Sequence, residues 1–308
     1  MTPQKTTVDW LRFRTQTEPK EVLQSLRPMF GEFGKSLRLK NLDRGILGFQ
    51  QASVIELGDM PLGRMDFGGE SQKGWVRVDL TGKGCEWVAD WAAVELVEEL
   101  PRSQVRRLDL ALTTWDGEMT HEQVVQAHTS GRFITRGRPP ALRQIISTDP
   151  RAGRTCEIGK REKSDKFMRC YEKGFELAGK MRGPGVVTHI DGKRVEDIYR
   201  CEVELKAASS DIPWDVIGRR DQYFAGAYPF CADVLPGVEA DILMRRPERA
   251  PQADLAAALE NCRVQFGPTL FTALAAYQGD MTAVWDKVIG DHHNQTLLEA
   301  GVLLVDHD

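Results

Sequence analysis

The sequence predicts an α+β protein: a largely antiparallel central sheet flanked by helices, with a small helical module at the C-terminus. Three observations predict it. Short runs of apolar/polar alternation recur through the first two thirds of the chain, as in strands with one buried face. Segments with apolar residues at helical spacing interrupt them. Beyond about residue 250 the strand signal stops and helical stretches take over. The expected organisation is a strand-rich body over residues 1–215, then a linker and an acidic helical module over 216–308.

Residues 7–14 (Thr-Val-Asp-Trp-Leu-Arg-Phe-Arg) alternate and read as the first strand. A helix over 17–29 follows, with Thr17 as its cap and Pro19 in the first turn. Between Leu37 and Leu80, alternating runs are cut by turn residues such as Asn41-Leu42-Asp43-Arg44-Gly45 and Gly68-Gly69, which predicts a meander. Trp87, Trp91, Val94 and Val97 stand near helical spacing and predict a helix over 86–100. Residues 107–113 read as a strand. Thr120-His121-Glu122-Gln123 is a capping box for a helix reaching Ser130. Residues 154–159 and 166–173 read as a hairpin with a basic tip. A second hairpin turns at Asp191-Gly192 and returns in a strand ending at Ala207. Helices are expected over 254–266, 269–277 and 280–289, and no internal repeat is visible.

Alternation sorts the side chains of the central strands. In 166–173 it places Arg169, Tyr171 and Lys173 on one face, with Met168, Cys170 and Glu172 opposite. Arg107, Asp109 and Ala111 oppose Leu108, Leu110 and Leu112; Arg200, Glu202, Glu204 and Lys206 oppose Cys201, Val203 and Leu205. A phenol, cations and carboxylates on one sheet face suit phosphoryl transfer onto tyrosine. A phenol ionises near ~10, so the flanking Arg169 and Lys173 are expected to lower its pKa and offset developing charge. The acids are expected to hold a divalent cation, Mg2+ or Mn2+, that polarises the scissile phosphate. The hydroxyl is expected to stand open to solvent.

The chain of 308 residues is 41% hydrophobic and 28% charged, with a formal net charge of −4, ordinary for a globular protein. The charge is unevenly spread. Residues 132–182 hold 14 Lys/Arg against 6 Asp/Glu, and residues 233–308 hold 5 against 12. The basic stretch, with Lys160, Arg161, Lys163 and Lys166 at the hairpin tip and Arg107 and Arg200 on neighbouring strands, fits a DNA backbone. Six scattered cysteines form no Cys-x-x-Cys pair, so neither a zinc site nor a disulfide framework is expected. There is no Gly-x-x-x-x-Gly-Lys-Ser/Thr loop and no His-hydrophobic-His pair. No apolar run approaches the ~20 residues that span a membrane, and the N-terminus lacks a signal-peptide pattern, so a cytoplasmic protein is expected.

Five segments in order resemble the replication initiation factor family of filamentous phages, itself related to the rolling-circle initiators of staphylococcal plasmids. They are Val8-Asp9-Trp10-Leu11, Leu80-Thr81-Gly82-Lys83-Gly84-Cys85, Arg107-Leu108-Asp109-Leu110-Ala111, the stretch 155–176 ending in Tyr171-Glu172-Lys173-Gly174-Phe175-Glu176, and Arg200-Cys201-Glu202-Val203-Glu204-Leu205-Lys206. The resemblance implies an origin-specific DNA nicking and closing enzyme. It would form a 5′-phosphotyrosine link through Tyr171, with residues 1–215 as its catalytic domain. Asp109 and Glu202 fall on acidic positions of the family pattern, where a second acid is often found at the place of Thr113. Either Glu204, or Glu176 from the tyrosine motif, would make up that shortfall, or DNA oxygens and water would complete the shell. The implied partners are origin DNA, single-stranded or in a hairpin, a host helicase for the tail, and a second copy of the chain. The alternative is a DNA-binding regulator that keeps the scaffold without chemistry.

Overall fold

The computed structural model describes residues 4–149, 151–162, 164–181, 186–243 and 255–299, so Lys163 lies outside the described residues. It divides into two compact units, residues 1–246 and 247–308.

The strands of the first unit are β1 (Thr7–Thr15), β2 (Leu37–Leu42), β3 (Gln51–Leu57), β4 (Met60–Phe67), β5 (Val76–Leu80), β6 (Gln104–Thr114), β7 (Leu142–Ile146), β8 (Arg154–Ile158), β9 (Lys166–Tyr171), β10 (His189–Ile190), β11 (Lys193–Arg194) and β12 (Tyr199–Lys206). All but β10 and β11, which pair only with each other, form one ten-stranded sheet in the order β2-β3-β4-β5-β1-β6-β12-β9-β8-β7. Every neighbouring pair in it is antiparallel. The expected α+β class and antiparallel sheet are what the structure shows.

The alternation works as the sequence requires. Leu11 and Phe13 of β1, Leu108 and Leu110 of β6, Met168 and Cys170 of β9, and Cys201, Val203 and Leu205 of β12 are buried on one face. Helices pack there: α1 (Pro19–Leu26) through Val22, Leu23 and Leu26, α4 (His121–Thr129) through Val124, α6 (Arg220–Ala227) through Phe224, and α7 (Pro229–Val234) through Phe230 and Cys231. The capping box of Thr120 and Gln123 is formed at the start of α4. Most charged side chains of the same strands, among them Arg107, Asp109, Arg169, Arg200, Glu202 and Glu204, line the opposite, open face. Five of the six cysteines are buried and unpaired, while Cys262 is exposed.

The two halves of the sheet share one topology. In the first, β1 stands at the centre, α1 comes next in the chain, β2 lies at the outer edge, and β3, β4 and β5 step back to pair with β1. In the second, β6 stands beside β1, α4 comes next, β7 lies at the other edge, and β8, β9 and β12 step back to pair with β6. The sequence shows no repeat because only the alternation is shared, and many residue choices satisfy it.

Other expectations needed correction. The stretch 86–100 is not one helix. It breaks into α2 (Gly82–Glu86), a 3-10 turn at Ala92–Val94 and α3 (Glu95–Glu98). Ala89 and Asp90 both donate their backbone N–H to Met29, which folds the chain back between them. Strand β9 ends at Tyr171, and α5 (Lys173–Lys180) begins two residues later. The first unit extends to residue 246, past the expected boundary at 215, because Val216, Ile217, Phe224, Phe230 and Leu235 complete the sheet's core. Asp221 of α6 also accepts hydrogen bonds from the backbone of Lys5 and Thr6 at the chain's start.

The second unit contains α8 (Leu255–Ala276), which continues through Pro268 where a break was expected, α9 (Met281–Val288) and α10 (Gln295–Glu299). Phe266, Phe271, Met281 and Trp285 are exposed, and Val284 is the buried apolar residue among the described residues of this unit. Among the described residues, no helix is long and apolar enough to cross a membrane.

Candidate active site

Tyr171 ends β9 on the open face, and the start of α5 fixes its surroundings. Gly174 is required there: a Cβ at this position would lie 2.0 Å from the Val195 carbonyl oxygen. Its N–H donates to Ile198 at 3.1 Å, so α5 starts tight against the segment leading into β12. Lys173, in the first turn of α5, is thereby turned back toward the phenol.

The Tyr171 hydroxyl donates to Glu202 Oε1 at 2.5 Å. Arg169 donates to Glu202 Oε2 at 2.5 Å through Nη2 and at 3.2 Å through Nε. Lys173 Nζ lies 3.4 Å from the phenol oxygen and donates to Glu176 Oε1 at 2.9 Å. Both cations also flank the ring, Arg169 at 5.0 Å and Lys173 at 5.6 Å from its centroid. The tyrosine, Arg169, Lys173, Glu202 and Glu176 read from the sequence are therefore gathered into one cluster. The residue is not open to solvent as expected, with 8% of its surface exposed. Access is through a cleft of about 210 Å³ lined by Ala152, Arg154, Thr155, Arg169, Tyr171, Glu172 and Glu176.

The electrostatics also differ from the expectation. Burial, with the Glu202 carboxylate beside it, pushes the Tyr171 phenol well above its ordinary value, and the cations do not reverse this. The phenol thus has a proton acceptor in place rather than a lowered pKa. Burial acts to raise Glu176, but hydrogen bonds from Lys180 and Lys173 outweigh it and hold the carboxyl down to about 2.

Asp9 belongs to this cluster, although strand alternation alone gives it no part in the site. It lies at a β-bulge in β1, between Val8 and Trp10, and Arg200 Nη1 reaches its Oδ1 at 2.9 Å. The same nitrogen is 3.9 Å from Glu202 Oε1. Burial and then Glu202 raise the Asp9 carboxyl. The signal that could have found it is its place in the motif Val8-Asp9-Trp10-Leu11. Thr113 has a definite task as well: its Oγ1 accepts Arg200 Nε at 2.8 Å.

Asp109 and Glu204 form a neighbouring group around Arg107. Arg107 holds Asp109 at 2.6–2.8 Å and Glu204 at 2.9 Å. Glu204 is also bound by Arg161 at 3.0 Å and Lys206 at 3.4 Å. Burial pushes the Asp109 carboxyl up to about 6 against the pull of Arg107, with Glu204 and Glu202 adding to the rise. The predicted metal ligands Asp109, Glu202 and Glu204 therefore share the open face, but each is paired with a cation. No three metal-binding side chains converge among the described residues.

Of the expected DNA-contacting cations, Lys160 is exposed at the hairpin tip and Arg161 is largely exposed while bound to Glu204. Arg107 and Arg200 lie on the open face, mostly shielded by their acidic partners. Lys166 is on the other side: its ammonium donates to the Ala227 carbonyl and lies 4.3 Å from the Tyr228 ring centroid, against the helical layer. The alternation that turns Phe167 outward turns Lys166 inward.

Residues 103–246 match the family model described as replication initiation factor, which bears out the resemblance over that span. Among solved structures the chain is similar to the rolling circle replication initiator protein from Geobacillus stearothermophilus. The two share 20% identity and a TM-score of 0.51 over 81% of this chain and 89% of that one, a likeness of fold. No curated protein matches the chain.

Proposed function

We propose that this protein initiates rolling-circle replication by nicking and later resealing one DNA strand at an origin, with Tyr171 as the nucleophile. The family match over 103–246 supports replication initiation. The observation that carries the chemistry is the 2.5 Å hydrogen bond from the Tyr171 hydroxyl to Glu202, with Arg169 on the other carboxylate oxygen.

In the proposed step the phenol oxygen attacks the scissile phosphorus and its proton passes to Glu202. The bond from phosphorus to the 3′ oxygen breaks, leaving a 5′-phosphotyrosine and a 3′ oxygen that takes a proton from solvent water to become a hydroxyl. A general base so placed contributes on the order of 10²–10⁴-fold. Lys173, next to the phenol oxygen, and Arg169, at the mouth of the cleft, stabilise negative charge on the tyrosyl oxygen and the phosphate. The link conserves the energy of the broken bond, so resealing is the same step in reverse and needs no nucleotide triphosphate.

The open-face carboxylates are hard oxygen donors of the kind that suit Mg2+ or Mn2+. Asp109, Glu202 and Glu204, with Asp9, would hold such an ion once their arginine partners turn to DNA phosphates. When bound, it would polarise the scissile phosphate. Arg161, Lys160, Arg107 and Arg200 would take the backbone on either side.

The test is incubation with a labelled origin oligonucleotide and Mn2+, and then a denaturing gel. A protease-sensitive shifted band is expected with the wild-type protein and not with Tyr171→Phe. One observation favours a second reading, a DNA-binding regulator without chemistry: the carboxylates at the site are already neutralised by cations. Reversible binding with no shifted band would favour it.

A further inference from the structure

The two half-sheets correspond residue by residue at the site. In the second, Arg169 of β9 lies opposite Glu202 of β12, and Tyr171 lies opposite Arg200. In the first, Arg64 of β4 lies opposite Asp79 of β5, and Asp66 lies opposite Arg77. The order of cation and acid is the same, with Asp66 in place of the tyrosine. Asp66 is fully buried, paired with Arg64 at 2.8 Å and Arg77 at 3.0 Å, and it also accepts the Ile46 N–H at 3.2 Å. With no hydroxyl, and with its carboxylate held by two guanidinium groups and a backbone N–H, this counterpart has no nucleophile.

What it keeps is positive charge. Tracing cross-strand partners along the open face gives Arg64, Asp79, Arg12, Arg107 and Lys206 on β4, β5, β1, β6 and β12 in turn. Four of these five positions are cationic, on strands about 4.8 Å apart. A second row adds Arg77 and Arg14, the latter stacked 4.0 Å over the ring of Trp75. Arg107 lies 4.9 Å over the ring of Trp10, which joins the halves without a gap. At the far end, Lys206, on the strand that also carries Glu202 and Arg200, contacts Glu204 and the backbone of Arg161.

We propose that this stripe is a second, non-cleaving DNA contact: it holds the phosphate backbone of the strand that flanks the nick, across the first half of the sheet. The proposal rests on the reading of the second half as a DNA-acting site. Cations held in place, Arg12, Arg64, Arg77, Arg107 and Lys206 by carboxylates and Arg14 by the Gln104 amide, are prearranged, so little side-chain freedom is lost when phosphates dock. Flat, sequence-independent contact of this kind would add affinity and orientation rather than choice of sequence.

The test uses the full chain with both Arg12→Gln and Arg14→Gln. Asp79 keeps Arg77 and the Trp10 indole as partners in this variant. Equilibrium binding is measured on two probes, a short oligonucleotide limited to the nick sequence and one extended on both sides. At least tenfold weaker binding is expected on the extended probe and less than twofold on the short one, with the salt slope on the extended probe smaller by about two. The charge-preserving pair Arg12→Lys and Arg14→Lys should recover most of the affinity. Equal losses on both probes, no loss on the extended probe, or no recovery by lysine would each overturn the proposal. Binding is read without cleavage, so this outcome is separate from the fate of Tyr171 as nucleophile.

Discussion

In the first half of the sheet Asp66 lies opposite Arg77, at the ladder position where in the second half Tyr171 lies opposite Arg200. Around Asp66 the polar groups are closed: its carboxylate is fully buried between Arg64 and Arg77. Around Tyr171 they are left partly open, with Arg169 still 42% exposed and a cleft reaching the ring. The same folding pattern thus yields a locked ion-pair cluster on one side and a candidate reaction centre on the other. The family match falls on the same side, beginning at residue 103, one residue before β6. The proposed chemistry therefore rests on a few side chains of the open face and not on the scaffold, which both halves share.

Substitution at the two matched positions separates the halves most sharply. Tyr171→Phe should abolish the covalent DNA adduct on a denaturing gel and cost only about 1 kcal/mol in urea unfolding, the value of one lost hydrogen bond. Asp66→Asn should do the reverse, keeping the adduct while costing about 3–5 kcal/mol, because it leaves two guanidinium groups short of a buried partner. An adduct that survives in Tyr171→Phe would end the comparison.

Next comes the proton acceptor. Glu202→Gln should slow single-turnover adduct formation by on the order of 10²–10⁴-fold. The matched change Asp79→Asn should leave it within about threefold, since Asp79 serves only the cluster around Arg12 and Arg77 in this account. Similar losses in both would show that general damage to the sheet, not proton transfer, is being measured.

A smaller effect concerns the cation. If arginines release the carboxylates only when DNA arrives, Mn2+ should bind the free protein weakly and at least tenfold more tightly with an uncleaved origin analogue present, as read by calorimetric titration. Tight binding to the free protein would contradict this exchange.

The smallest effect is on stability against pH. Asp109 holds its proton up to about 6, above the ordinary carboxylate value of 3.8. Between those values the folded state binds more protons than the unfolded one, so stability should fall as pH rises from about 4 to 6, by on the order of 1–3 kcal/mol. Asp109→Asn should flatten part of that slope in unfolding curves. An unchanged slope would show that Asp109 is not the group responsible.

Much of this was legible in the sequence because alternation reports directly on which face is buried. Leu108, Leu110, Cys201 and Val203 fall on the core face, and Asp109, Glu202, Arg169 and Tyr171 on the open one, as their spacing requires. Alternation fails where the backbone departs from the simple pleat. The bulge at Asp9 brings in a carboxylate that regular counting leaves out. The end of β9 at Tyr171 moves Lys173 into a helix. Residues 216–235 read as linker because α6 carries apolar and polar residues on all sides, and its burial is settled by contacts with distant segments. Pairing is the other limit. The sequence shows acids and arginines on one face, but which carboxylate faces a phenol and which is neutralised depends on cross-strand register.

The most direct test is to digest the covalent adduct with trypsin and nuclease and locate the retained nucleotide by mass spectrometry. The added mass is expected on the peptide 170–173, at Tyr171. A nucleotide on Tyr199, Tyr223 or Tyr228, or no covalent nucleotide under conditions where the origin strand is cut, would contradict it.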